Sequence, residues 1–138
     1  MFSLEGRVAL ITGANTGLGQ AIAIALASAG ADIACAGTSA PDETAEKVKA
    51  LGRRFIAIKT DLSSLAPVQN LVDQTVSELG ALDILVNNAG TIRRADAVDF
   101  TEADWDAVMD VNLKTAFFLC QSSGRHMIAK GQGKIINI

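Results

Sequence analysis

The 138-residue chain has no tyrosine, a single histidine, two cysteines and two prolines. The first absence removes any phenolic acid or base from these residues. One histidine, His126, cannot form a His cluster, and Cys35 and Cys120 stand far apart without metal-ligand spacing. Neither a metal centre nor a disulfide framework is expected, and two reduced core thiols are the stronger reading over a disulfide or redox site. His126, in a polar stretch before Gly131, reads as a surface or helix-end residue. The longest unbroken apolar run, Ala21–Ala27, is far short of the ~20 residues that a membrane span needs. The start lacks a basic stretch followed by an apolar core, so export is not indicated and the cytoplasm is the expected compartment. Runs of Lys and Arg are also lacking, and the net charge is −3. Nucleic acid is therefore not an expected partner.

Apolar residues make up 49% of the chain, enough to core one ordinary domain spanning residues 1–138. Short apolar runs alternate with helical patterns, the signature of βαβ units in a parallel sheet. Strands are expected at Arg7–Ile11, Ala31–Ala36, Arg54–Ile58, Leu82–Val86 and Lys134–Ile138. Helices are expected over Leu18–Ala29, from Pro41 to Gly52, and through Val68, Leu71, Val72, Val76 and Leu79 to a stop at Gly80. Thr101–Asp104 resembles a capping box with Asp in the usual Glu place. One long helix should follow, carrying Trp105, Val108, Met109, Asn112 and Phe117 and lasting to Lys130. A terminal strand would leave an apolar edge, which points to further protein beyond it.

The first strand runs straight into Thr12-Gly13-Ala14-Asn15-Thr16-Gly17-Leu18-Gly19. Gly13 permits the tight turn, Gly17 a close backbone approach to a pyrophosphate, and Gly19 close packing of helix on sheet. The helix that follows aims its free N–H groups and positive dipole end at an anion. The spacing is G-x-x-x-G-x-G rather than G-x-G-x-x-G. A strand before and a helix after make a phosphate-binding turn the stronger reading over a ligand-free glycine turn.

This turn, Asn87-Asn88-Ala89-Gly90 after the fourth strand, and Asn112 in the next helix together resemble the short-chain dehydrogenase/reductase family. The resemblance covers the whole chain. Within the family, FSLEGRVALITG, NTGLGQ, ALGRRF, TIRRADAVDFTEADWDAVMDVN and GKIINI look like the bacterial dehydrogenases of deoxygluconate-type sugar acids. The implied fold is α/β, a Rossmann-type doubly wound parallel sheet truncated after the fifth strand. The implied activity is hydride transfer between a nicotinamide cofactor and a hydroxy or keto sugar acid. By the same resemblance, Gly13, Asn15, Thr16, Gly17, Leu18 and Gly19 would hold the cofactor diphosphate. Asp61 would accept from the adenine amino group, with Leu62 beside the ring; the alternative is that Asp61 caps the next turn. Asn87, Asn88, Ala89 and Gly90 would line the adenosine side and brace the sheet. The corner Ala36-Gly37-Thr38-Ser39, where Thr38 would meet the ribose, carries neither the acid that reads a 2′-hydroxyl nor the arginine that reads a 2′-phosphate. The sugar-acid likeness favours NAD, with NADP left open.

The family handles protons with an Asn, a Ser, a Tyr and a Lys, the tyrosine being the acid/base. Asn112 matches the first; the alternative for it is a polar residue on a solvated helix face. The other three have no match here, so these 138 residues alone are expected to lack turnover, as a non-catalytic nucleotide-binding module would. Arg93 and Arg94, beyond the fourth strand, are candidates for the substrate carboxylate, against the alternative of solvated loop charges. Trp105, Phe117 and Phe118 read as core or subunit-contact residues. The resemblance implies a homodimer or homotetramer, with the long helix as the contact.

Overall fold

The computed structural model describes residues 2–138. Five strands form one parallel sheet: β1 (Val8–Thr12), β2 (Asp32–Gly37), β3 (Phe55–Lys59), β4 (Ile84–Asn87) and β5 (Lys134–Asn137), in the spatial order β3-β2-β1-β4-β5. Helices α1 (Gly17–Ser28), α2 (Asp42–Ala50) and α3 (Val68–Leu79) connect the first four strands. Between β4 and β5 lie a 3₁₀ turn (Ala97–Asp99), helix α4 (Glu102–Met109), a π-helical segment (Asp110–Thr115) and helix α5 (Ala116–Lys130). This is the α/β, Rossmann-like architecture expected from the alternating pattern, and each of the five expected strands is present within one or two residues of its reading.

β1, β2 and β4 are largely apolar because both faces of the sheet are covered there. In β1, Val8 and Leu10 join Leu71, Val72, Leu119 and Met127 of α3 and α5 on one side. Ala9 and Ile11 join Ala23, Ala27 and Val48 of α1 and α2 on the other. Gly19, Ala23 and Ala27 form the buried stripe of α1, and these small side chains let the helix axis approach the strands closely. The chain winds outward from β1 through β2 to β3, then crosses back through α3 to place β4 on the other side of β1. The order reverses between β1 and β4, and the crevice at their carboxyl ends is where such sheets take ligands.

The expected single helix over Glu102–Lys130 is interrupted. At its start Thr101 caps as read: its Oγ1 accepts from the Asp104 amide at 3.1 Å and donates to the Asp104 carboxylate at 3.0 Å. Past Met109 the helix widens into the π-helical turns. Three tertiary hydrogen bonds, from two of its residues, hold this segment. Asn112 clasps Thr91, and Thr115 Oγ1 donates to the carbonyl of Leu62 at 2.8 Å, fully buried. Apolar spacing carries no signal for such a bulge, because the contacts that hold it come from loops distant in sequence. His126 also departs from its expected surface place. It lies inside α5, half-buried against α3, with Nε2 buried and without a partner among the described residues. Trp105 and Phe117 are 57% and 60% exposed and so not core residues, whereas Phe118 packs on the core and meets the Phe117 ring edge-on at 5.2 Å.

Candidate nucleotide-binding site

The glycine turn is built from behind. Thr44 of α2 is fully buried and donates to the carbonyl of Ala14 at 2.7 Å, while Gln20 Nε2 donates to Thr44 Oγ1 at 3.0 Å. From the β4 side, Asn88 Nδ2 donates to the carbonyls of Thr12 and Gly13, both at 3.1 Å. Thr12 Oγ1 returns the tie by accepting the amides of Asn88 and Ala89 at 3.0 and 2.9 Å. The turn after β1 and the loop after β4 are thus stitched into one wall. Gly13 and Gly17 take φ of +68° and +58°, a region costly to other residues. At Gly19 a Cβ would overlap the Gly13 carbonyl oxygen and stand 2.5 Å from Asn88 Nδ2.

At the N-terminus of α1, Thr16 is extended, makes no side-chain cap, and no acidic residue occupies the first turn. Thr16, Gly17 and Leu18 are exposed. The first-turn amides therefore meet solvent without an internal acceptor, and the dipole adds positive potential there.

In front of this turn opens a cleft of about 460 Å³. Of the expected cofactor residues, the fold brings Gly13, Asn15, Thr16, Thr38, Asp61, Leu62, Asn88, Ala89 and Gly90 to its walls. Gly17, Leu18 and Gly19 stay outside the lining. Asn87 does too: its Nδ2 faces β5 and α5, donating to Asn137 Oδ1 at 2.9 Å. Gly37 of the corner after β2 lines the cleft as well, as do Thr60, Thr91 and Val111, which no motif had singled out for it. Parallel pairing could have found Thr60, whose amide donates to the Gly37 carbonyl at 2.9 Å. Its hydroxyl is buried and has no partner among the described residues.

Asp61 carries the only ionisable side chain in the lining. Its Oδ1 accepts the Ser63 amide at 2.9 Å, and that bond holds the carboxyl below its usual range, so it stays an ionised acceptor. It does cap the turn after β3, with the Ser63 hydroxyl also bonding the carboxyl. The residues fit a dinucleotide on several counts: an uncapped helix start for the diphosphate, a carboxylate acceptor for an amino group, and an unpartnered buried hydroxyl in the same wall.

A second, larger cavity of about 770 Å³ adjoins the cleft at Thr91 and is lined by Arg93, Trp105, Met109 and Asn112, among others. Asn112 Oδ1 accepts the Thr91 amide at 2.8 Å and its Nδ2 donates to the Thr91 carbonyl at 3.0 Å. Its side chain braces the loop after β4. Arg93 reaches Asp104 at 3.5 Å and Thr91 Oγ1 at 3.1 Å. Arg94 is exposed and lines neither cavity.

Residues 7–138 match the family model described as short chain dehydrogenase. The chain belongs to the short-chain dehydrogenase family. Among its curated relatives, the 2-dehydro-3-deoxy-D-gluconate 5-dehydrogenase of Escherichia coli (strain K12) is 54% identical, over 99% of this chain and 54% of the relative. The enzyme of the same name from Bacillus subtilis (strain 168) is 48% identical over the same shares. A solved structure from Agrobacterium tumefaciens, assigned as a 2-deoxy-D-gluconate 3-dehydrogenase with bound NADP, is 53% identical with a TM-score of 0.88, covering 99% of this chain and 54% of that one. A short-chain alcohol dehydrogenase structure from Sinorhizobium meliloti 1021 is 41% identical with a TM-score of 0.95, covering 99% and 55%. This short-chain dehydrogenase chain thus spans about half the length of the relatives it matches. Among its described residues no helix is long and apolar enough to cross a membrane.

Proposed function

We propose that this chain is the nucleotide-binding part of a dehydrogenase that moves a hydride between a nicotinamide cofactor and a hydroxy or keto sugar acid of the gluconate type. The observation that carries the reading is the uncapped, acid-free start of α1 beside a cleft walled by Asp61, Asn88, Ala89 and Gly90. The diphosphate would lie against the first-turn amides, the adenine amino group on Asp61, and the flat adenosine against the small residues after β4. When bound, the cofactor supplies a two-electron hydride donor or acceptor. The sequence resemblance favours NAD(H), and the NADP in the Agrobacterium relative supports NADP(H).

In this reading the larger cavity receives the substrate. Arg93 is the candidate for its carboxylate, since an arginine fork matches a carboxylate and the side chain lines that cavity. Asn112 is a positioning residue, fixing through Thr91 the loop where cleft and cavity meet. With no tyrosine present, these 138 residues are expected to bind nucleotide without turning over substrate.

The test is energy transfer from Trp105, the single tryptophan, to a bound dihydronicotinamide. Saturable transfer with NADH is expected, together with tighter binding in the presence of 2-deoxy-D-gluconate that Arg93→Ala abolishes. Folded chain that binds neither NADH nor NADPH overturns the nucleotide reading. A sugar-acid effect that survives Arg93→Ala removes that arginine from the substrate site. Steady NADH production by the 138-residue chain would show that the acid/base is not a tyrosine.

A further inference from the structure

The seam between α3 and α5 holds a cavity of about 450 Å³. It shares no lining residue with the nucleotide cleft or with the larger cavity beside that cleft. Both helices pack on the same face of the sheet and lead into parallel strands, so they run parallel to each other. Ser122 Oγ of α5 donates to Gln69 Oε1 of α3 at 2.9 Å, which fixes their register. Four residues on, about 6 Å along each axis, the same register sets Asp73 opposite His126. Both residues line the cavity. Gln69 Nε2 donates to Asp73 Oδ1 at 2.9 Å and ties that carboxylate to the seam.

Three ionisable side chains line this space: Asp73, Arg125 and His126. Asp73 and Arg125 are exposed, and neither forms an ion pair with the other or with any other described residue. His126 Nε2 is buried and has no hydrogen-bond partner among the described residues. A buried polar atom left unpaired is costly, and a ligand that pairs it removes the cost. Val72 and Val76 add an apolar patch. A simple anion placed here would meet Asp73, and a simple cation would meet Arg125. A molecule that carries both charges and a short apolar arm avoids both repulsions.

We propose that this seam is a binding site for an α-amino acid with a short apolar side chain. The ammonium lies between Asp73 and His126 and donates to the carboxylate and to Nε2. The ligand carboxylate accepts from the Arg125 guanidinium. The apolar arm covers Val72 and Val76. The volume suits a small molecule, since such sites span about 300–1,000 Å³. The site stands apart from the nucleotide reading, because no residue serves both.

His126 is the single histidine, so its imidazole Cε1–H gives one resolved NMR signal. L-Valine titrated into the 138-residue chain at constant pH should move that signal saturably, with a dissociation constant of about 1 mM. Isovalerate, which lacks the ammonium, and isobutylamine, which lacks the carboxylate, should each bind at least about tenfold more weakly. Asp73→Asn and Arg125→Gln, both at exposed positions, should each weaken valine about tenfold with an unchanged circular dichroism spectrum. A signal that does not saturate by about 100 mM valine overturns the site. Isovalerate or isobutylamine binding as tightly as valine, or a valine constant unmoved in both variants, overturns its assignment to a zwitterion.

Discussion

Asp83 precedes β4 with only 8% of its side chain exposed, and it holds three donors. Lys130 Nζ lies at 2.6 Å, the Val8 amide at 2.9 Å and Arg7 at 3.3 Å. Burial pushes its pKa up, but the bonds from Lys130, Val8 and Arg7 outweigh this and hold it below the ordinary carboxylate range. The sign follows from linkage. A carboxyl with a depressed folded-state pKa contributes stability that is complete above the unfolded value of about 3.9 and is lost as pH falls through the folded value. Asp83→Ala should cost roughly 2–3 kcal/mol at pH 7, below the figure for fully buried pairs because Lys130 and Arg7 keep contact with water. Urea unfolding across pH 2–7 checks both points. The parent should lose stability steeply below about pH 4, and the variant should lack that component. None of this was legible in the sequence, where Asp83 is one acid in a strand start and Lys130 one base near a helix end. For Asp61 the family resemblance implied an adenine contact and the residue's place left a turn cap as the alternative; the bond from the Ser63 amide is that cap.

The turn into helix α1 shows how a local motif becomes one wall of a cleft. Its glycines were readable from spacing, since Gly13 and Gly17 take a backbone that other residues resist and Gly19 a place without room for a Cβ. What the spacing did not display was Asn88, whose amide group joins the carbonyls of Thr12 and Gly13 across the sheet. Gly19 packs directly on that junction. Gly19→Ala should therefore push α1 off the turn, cost about 1–3 kcal/mol of stability as an overpacked contact, and weaken NADH more than tenfold. Paired urea melts and energy-transfer titrations would check this. Unchanged stability with unchanged affinity would mean that the helix can shift freely. The π-helical segment makes the opposite point. Residues 102–130 read as one amphipathic helix, yet Asn112 and Thr115 each bond a distant loop, and the backbone widens to let them.

Across the whole molecule the sheet is unevenly protected. β1, β2 and β4 are buried on both faces, while β5 is exposed along its length, with Ile135 and Ile136 at 38% and 43% exposure. Its outer edge pairs with no other strand among the described residues. An apolar open strand is a template for another chain. The isolated 138 residues should associate with increasing concentration in sedimentation velocity, and Ile136→Lys should suppress this. Association that persists in Ile136→Lys and disappears in Phe117→Ser would move the contact to the α4–α5 surface.

Sequence alone determined the alternation of strands and helices, the glycine-rich turn after β1 and the family, because each is written in local spacing and in places that suit glycine. The tertiary structure decided which residues share a wall. It brought Thr60, Thr91 and Val111 to the cleft, turned Asn112 into a brace, half-buried His126 and set Lys59 beside Gly37. The physical reason is that strand register and helix docking join positions tens of residues apart, and no periodicity along one segment records what its neighbour will be.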